Sequence, residues 1–66
     1  MNIQVGDLFV TSNKKVLHLV LKVHDSLVYT EWNYIDTEEK CKTTLTYSDI
    51  RQFLSTKTFK HYPVVK

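Results

Sequence analysis

From Val16 to His24 the chain alternates without interruption. Leu17, Leu19, Leu21 and Val23 fall on one side of an extended backbone, and Val16, His18, Val20, Lys22 and His24 on the other. A repeat of two over nine residues predicts a half-buried antiparallel strand, because successive side chains of a strand point to opposite faces. A helix would need an apolar stripe at spacings of three and four, which His18, Lys22 and His24 interrupt. The leucine side is the apolar one; His18 and His24 lie on the polar side.

The neighbouring segments follow the same rule. Val5 to Thr11 reads as a first strand, bent at its start by Gly6-Asp7, with Leu8 and Val10 on one face and Phe9 on the other. The polar run Thr11 to Lys15 predicts a turn. Asp25-Ser26 predicts a tight turn into a returning strand, Leu27 to Ile35. That strand has Val28, Thr30, Trp32 and Tyr34 on one face and Leu27, Tyr29, Glu31, Asn33 and Ile35 on the other, so its buried face is left open. Asp36 to Glu39 is a second turn. Lys40 to Tyr47 forms a fourth strand with Cys41, Thr43, Leu45 and Tyr47 inward.

The periodicity then changes. Ile50, Phe53 and Leu54 at i, i+3 and i+4 predict a short helix over 48–54, with Ser48 as its N-cap and Asp49 at the positive end of its dipole. It is too short to stand alone and must lie on the sheet. Phe59 to Val65 is a last extended segment, and Pro63, lacking an N–H, suits an edge.

Four strands in meander order, a helix and a closing strand describe a mainly β fold: a small five-stranded SH3-like barrel or strongly bent antiparallel sheet, one domain over 1–66. A chain of 66 residues hides only about 60% of the surface its unfolded form exposes, so self-association is a natural supplement. No apolar run approaches the ~18–20 residues that cross a bilayer. The first residues lack a basic start followed by an apolar block, unlike a signal peptide. A cytoplasmic domain without membrane contact is the expectation.

Two segments carry a likeness. Val5-Gly6-Asp7-Leu8-Phe9-Val10 resembles the hydrophobic-Gly-Asp-hydrophobic opening of many SH3-like small barrels. Tyr47 to Leu54 followed by Lys60-His61-Tyr62-Pro63-Val64 is similar to the tail of small proteins encoded by tailed bacteriophages. The resemblance implies a phage-encoded factor acting on a host protein in the host cytoplasm; neither segment carries an enzymatic motif.

Catalytic and metal constellations are poorly supplied. Cys41 could pair with His18, His24 or His61, but a barrel of this size has little room for a pocket with an oxyanion site. In phase with Leu45 and Tyr47, Cys41 is expected to be a buried, inert thiol. His18 and His24 stand roughly 20 Å apart along one strand, too far to share a metal. Glu38-Glu39 sits in a turn rather than a cavity, and a single glycine cannot form a phosphate-cradling loop. No enzyme activity, cofactor or metal is expected.

Charge and aromatic residues say more. Residues 1–39 carry Lys14, Lys15 and Lys22 against Asp7, Asp25, Glu31, Asp36, Glu38 and Glu39, a net of −3. Residues 40–66 carry Lys40, Lys42, Arg51, Lys57, Lys60 and Lys66 against Asp49, a net of +5. Trp32 and Phe59 suit a core, whereas Lys60, His61 and Tyr62 suit a surface contact on an edge.

Three functional readings follow. The first is a protein-binding module using Trp32, Tyr34, Arg51, Lys60, His61 and Tyr62, since interfaces depend on a few aromatic and cationic anchors. The second is a nucleic-acid-binding barrel using Lys40, Lys42, Lys57, Lys60, His61 and Tyr62, where cations meet phosphates and rings stack on bases. The third is a symmetric oligomer trapping a small anionic ligand between subunits. An open edge strand also offers homo-oligomerisation.

Overall fold

A computed structural model describes residues 2–64. Its elements are β1 (Leu8–Thr11), β2 (Val16–His24), β3 (Leu27–Tyr34), β4 (Cys41–Thr46), α1 (Tyr47–Ser55) and β5 (Phe59–Tyr62). All five strands belong to one antiparallel sheet of order β4-β3-β2-β1-β5. The mainly β architecture with one helix before the last strand agrees with the alternation. The first strand starts at Leu8 rather than Val5, and the fourth at Cys41 rather than Lys40. The last strand ends at Tyr62, before Pro63 and Val64, rather than running on toward Val65, which itself lies outside the described residues.

The inner face departs from the sequence expectation. Val20 is buried while Leu19 and Leu21 are exposed, so the side of β2 that carries His18 faces the core and the leucine side faces out. The pairing of β2 with β3 slips between Val20 and Lys22. That bulge gives β2 one extra residue and reverses the phase, so Val16, His18 and Val20 point inward before it and Val23, opposite buried Val28, after it. His18 and His24 therefore end on opposite faces. On the concave side β-branched residues (Val20, Val28, Thr30) take the buried positions of β2 and β3.

The core consists of Ile3, Phe9, Val20, Val28, Ile50 and Phe59. Ile50 comes from α1, whose Phe53 and Leu54 pack against the same cluster. The i, i+3, i+4 reading of the helix was sound, but its N-cap was placed two residues late. Thr46 is the cap: its hydroxyl accepts from the Asp49 N–H at 3.0 Å, and the Asp49 carboxylate accepts from the Thr46 N–H at 3.3 Å. This reciprocal capping box satisfies two donors, which Ser48 inside the first turn cannot do. The helix stops in a Schellman motif, with Thr58 N–H donating to Phe53 C=O and Lys57 N–H to Leu54 C=O. Lys57 occupies the left-handed position there, at φ 61°.

A buried carboxylate ties the two ends of the chain together. Asp7 is 1% exposed and accepts hydrogen bonds from the Gln4 N–H at 3.0 Å and the Val64 N–H at 2.8 Å, with His61 Nε2 at 2.8 Å. Gly6 makes the approach possible. Its φ is 96°, and a Cβ there would lie 3.1 Å from a Val64 methyl.

Candidate binding surface

Strand pairing aligns a row of rings across the concave face. His61 on β5, Phe9 on β1, His18 on β2, Trp32 on β3 and Cys41 on β4 are successive cross-strand partners and so share one face. Phe9, at the deep end, stacks on the His61 ring at 4.7 Å and meets Phe59 at 5.8 Å. The shallow end opens. There Thr11, Val16, His18, Trp32, Thr43, Leu45, Phe53 and Phe59 line an apolar groove of about 350 Å³ between the sheet and α1.

Half of the groove's lining residues carry aromatic rings. Phe53 meets Phe59 at 4.9 Å, His18 meets Phe59 at 5.2 Å, and Trp32 stands 6.2 Å from His18. His18 Nδ1 lies 3.2 Å from the hydroxyl of buried Thr30. Burial removes water from the imidazole and pushes its pKa below the ordinary 6.5, which favours the neutral ring.

Outside the lining of this groove, Tyr34 is 51% exposed and edge-on to Trp32 at 5.8 Å. Beyond Tyr34 lies a second hollow of about 300 Å³, lined by Lys14, Lys15, Tyr34, Ile35 and Asp36. Val16 pairs with Tyr34, and Ile35 N–H donates to Lys15 C=O, so both hollows adjoin through the β2–β3 hairpin. Together they present apolar and aromatic area beside Lys14 and Lys15, with Asp36 in the same lining. Such a surface fits an apolar anchor with a neighbouring acidic group.

The other sequence-selected residues are scattered. His61 is an internal group instead of a surface contact: it is stacked on Phe9, bonded to Asp7, and its side chain is only 20% exposed. Lys60 and Tyr62 are exposed on β5, with the ammonium 5.3 Å from the ring centre. Arg51 and Lys57 are exposed at α1. Lys40 pairs with Glu31 at 3.6 Å, and Lys42 is the cross-strand partner of the same Glu31. Among the described residues, the cations of the second half thus divide between β4 and β5, the two edges of the sheet, and α1. Cys41 is exposed at the start of β4, not buried, because the inward row runs out at that edge.

Lys14, Lys15, His18 and Phe53 were not selected from the sequence as binding residues. The phase of His18 with Val16 and Val20 was the available signal; the bulge that makes this phase inward was invisible. Among the described residues no cluster of three or more His, Cys, Asp or Glu could hold a metal ion, and no helix is long and apolar enough to cross a membrane. No protein-family model matches the chain, and neither the curated proteins nor the solved structures contain a significantly similar one.

Proposed function

We propose that the chain is a non-enzymatic protein-binding module that uses the aromatic groove and the adjoining Lys14–Tyr34 hollow to seize an apolar side chain flanked by an acidic group. The observation that carries this reading is Tyr34, half exposed and edge-on to Trp32, which lines the open apolar groove. Rigid aromatic groups lose little entropy on binding and commonly dominate interface energy. The likeness to small phage proteins suggests a host protein as the target, modulated or inhibited by occlusion.

The nucleic-acid reading has less support. Lys40 is held by Glu31, His61 is spent on Asp7, and Lys42 and Lys60 stand at opposite edges of the sheet. A continuous track of phosphates needs cations side by side.

Affinity capture from host extract with wild-type and Tyr34→Ala chains tests the proposal. Because Tyr34 is exposed, its truncation should leave stability within about 0.5 kcal/mol. A specific protein retained by the wild type and lost with Tyr34→Ala is expected. Capture of nothing specific, or of a protein indifferent to Tyr34, overturns the reading. Salt-sensitive binding of RNA or DNA oligomers at low ionic strength would replace it with the nucleic-acid alternative.

A further inference from the structure

The convex face of the sheet is apolar at its centre, over β1 and β2, where a surface left in water is ordinarily polar. An antiparallel sheet with one solvated face ordinarily turns polar side chains outward. Here Leu8 and Val10 of β1 lie opposite the buried side of Phe9, and Leu17 and Leu19 of β2 lie opposite the buried side of Val20. Cross-strand pairing joins them into two rows. One runs Tyr62, Leu8, Leu19, Glu31, Lys42; the other runs Lys60, Val10, Leu17, Asn33. Leu19 and Tyr62 are 37% and 45% exposed, and Leu21 at the bulge is 39% exposed.

We propose that this convex face is the interface of a symmetric homodimer in which two sheets pack back to back. The two rows are self-complementary. A two-fold axis parallel to the strands and between β1 and β2 sets Leu8 against Leu19 of the second copy and Val10 against Leu17, each contact occurring twice. The same rotation brings the Tyr62 hydroxyl toward the Glu31 carboxylate of the second copy, with Lys60 in the adjacent row. An apolar centre is thereby flanked by a donor and a cation at one end and an acceptor carboxylate at the other. The molecule measures 31 × 24 × 23 Å, so a covered face approaches the ~800 Å² per partner of a standard interface. The small buried core, six residues among those described, gives association a thermodynamic role as well. The aromatic groove lies on the concave side and stays open, so the dimer would present two grooves facing apart.

Sedimentation of the full chain from micromolar to millimolar concentration tests this, together with amide NMR spectra recorded on dilution. The wild type is expected to reach twice the 7.8 kDa monomer mass. Leu19→Lys and Tyr62→Glu, with folded spectra, should each raise the dissociation constant at least about tenfold, while Tyr34→Ala leaves it unchanged. Amide shifts that move on dilution should cluster at Leu8, Val10, Leu17, Leu19 and Tyr62, a readout that needs no variant. A wild type that stays monomeric overturns the proposal, as does a dimer indifferent to Leu19→Lys or dilution shifts confined to β4. None of these outcomes bears on whether the groove binds a protein.

Discussion

Asp7 and His61, 54 positions apart, meet at 2.8 Å with the carboxylate almost fully buried. The same carboxylate takes the backbone N–H groups of Gln4 and Val64, so one side chain fastens the segment after β5 to the turn before β1. Removing it strands those donors at once. A chain of this size is stabilised by roughly 3–10 kcal/mol in total. Asp7→Ala is expected to cost about 3 kcal/mol. Urea denaturation followed by Trp32 fluorescence measures it; an unchanged midpoint would show that the clasp is dispensable.

Asp7 and His18 respond to acid in separate windows. For Asp7, burial opposes ionisation, but the hydrogen bonds from Val64, Gln4 and His61 outweigh it and hold the pKa below its ordinary 3.8. Its contribution is fully present above 3.8 and fades as pH falls through the lower folded value. For His18, desolvation alone lowers the pKa from 6.5. The unfolded chain then takes up the proton first, so stability is fully present above 6.5 and declines as pH falls toward the folded value. Melting temperatures followed from about pH 8 to about pH 2, a range that brackets the ordinary pKa values of His and Asp, should fall in two stages. His18→Gln should flatten the upper stage and Asp7→Asn the lower.

The capping box separates two neighbouring hydroxyls. Thr46→Ala removes the acceptor for the Asp49 N–H and should destabilise the chain by about 1 kcal/mol. Ser48→Ala, exposed within the first helical turn, should shift stability by less than about 0.5 kcal/mol. Equal effects in chemical denaturation would contradict the cap geometry.

Lys57 sits at φ 61° where the Schellman motif favours glycine. The left-handed conformation costs an L-residue roughly 1–2 kcal/mol, partly offset by the greater freedom of glycine in the unfolded chain. Lys57→Gly should therefore stabilise the fold, by about 0.5–1 kcal/mol. A lower melting temperature would show that the lysine side chain contributes more than its backbone strain costs.

The strands were legible because period two is a local property of the chain. So was the helix, whose Ile50, Phe53 and Leu54 face the core as their spacing requires. The groove was half legible: Trp32 and Tyr34 share a face by alternation and Phe59 was read as core, which its burial bears out, but nothing local says that Tyr34 is left exposed. Lys14 and Lys15 join them only because the β2–β3 hairpin folds back on itself.

What the sequence determined by itself is where the backbone is extended, where it turns and where it coils, since each follows from residues within a few positions. Which face of a strand is inside belonged to the tertiary structure. A single bulge after Val20 reversed the phase of β2, turned His18 inward and put Leu19 in water, and burial against β1 and α1 chose among patterns that alternation alone holds equivalent. The pairing of Asp7 with His61 is of the same kind. Nothing near either residue specifies it, and only closure of β5 onto β1 brings the two rings and the carboxylate into one dry site.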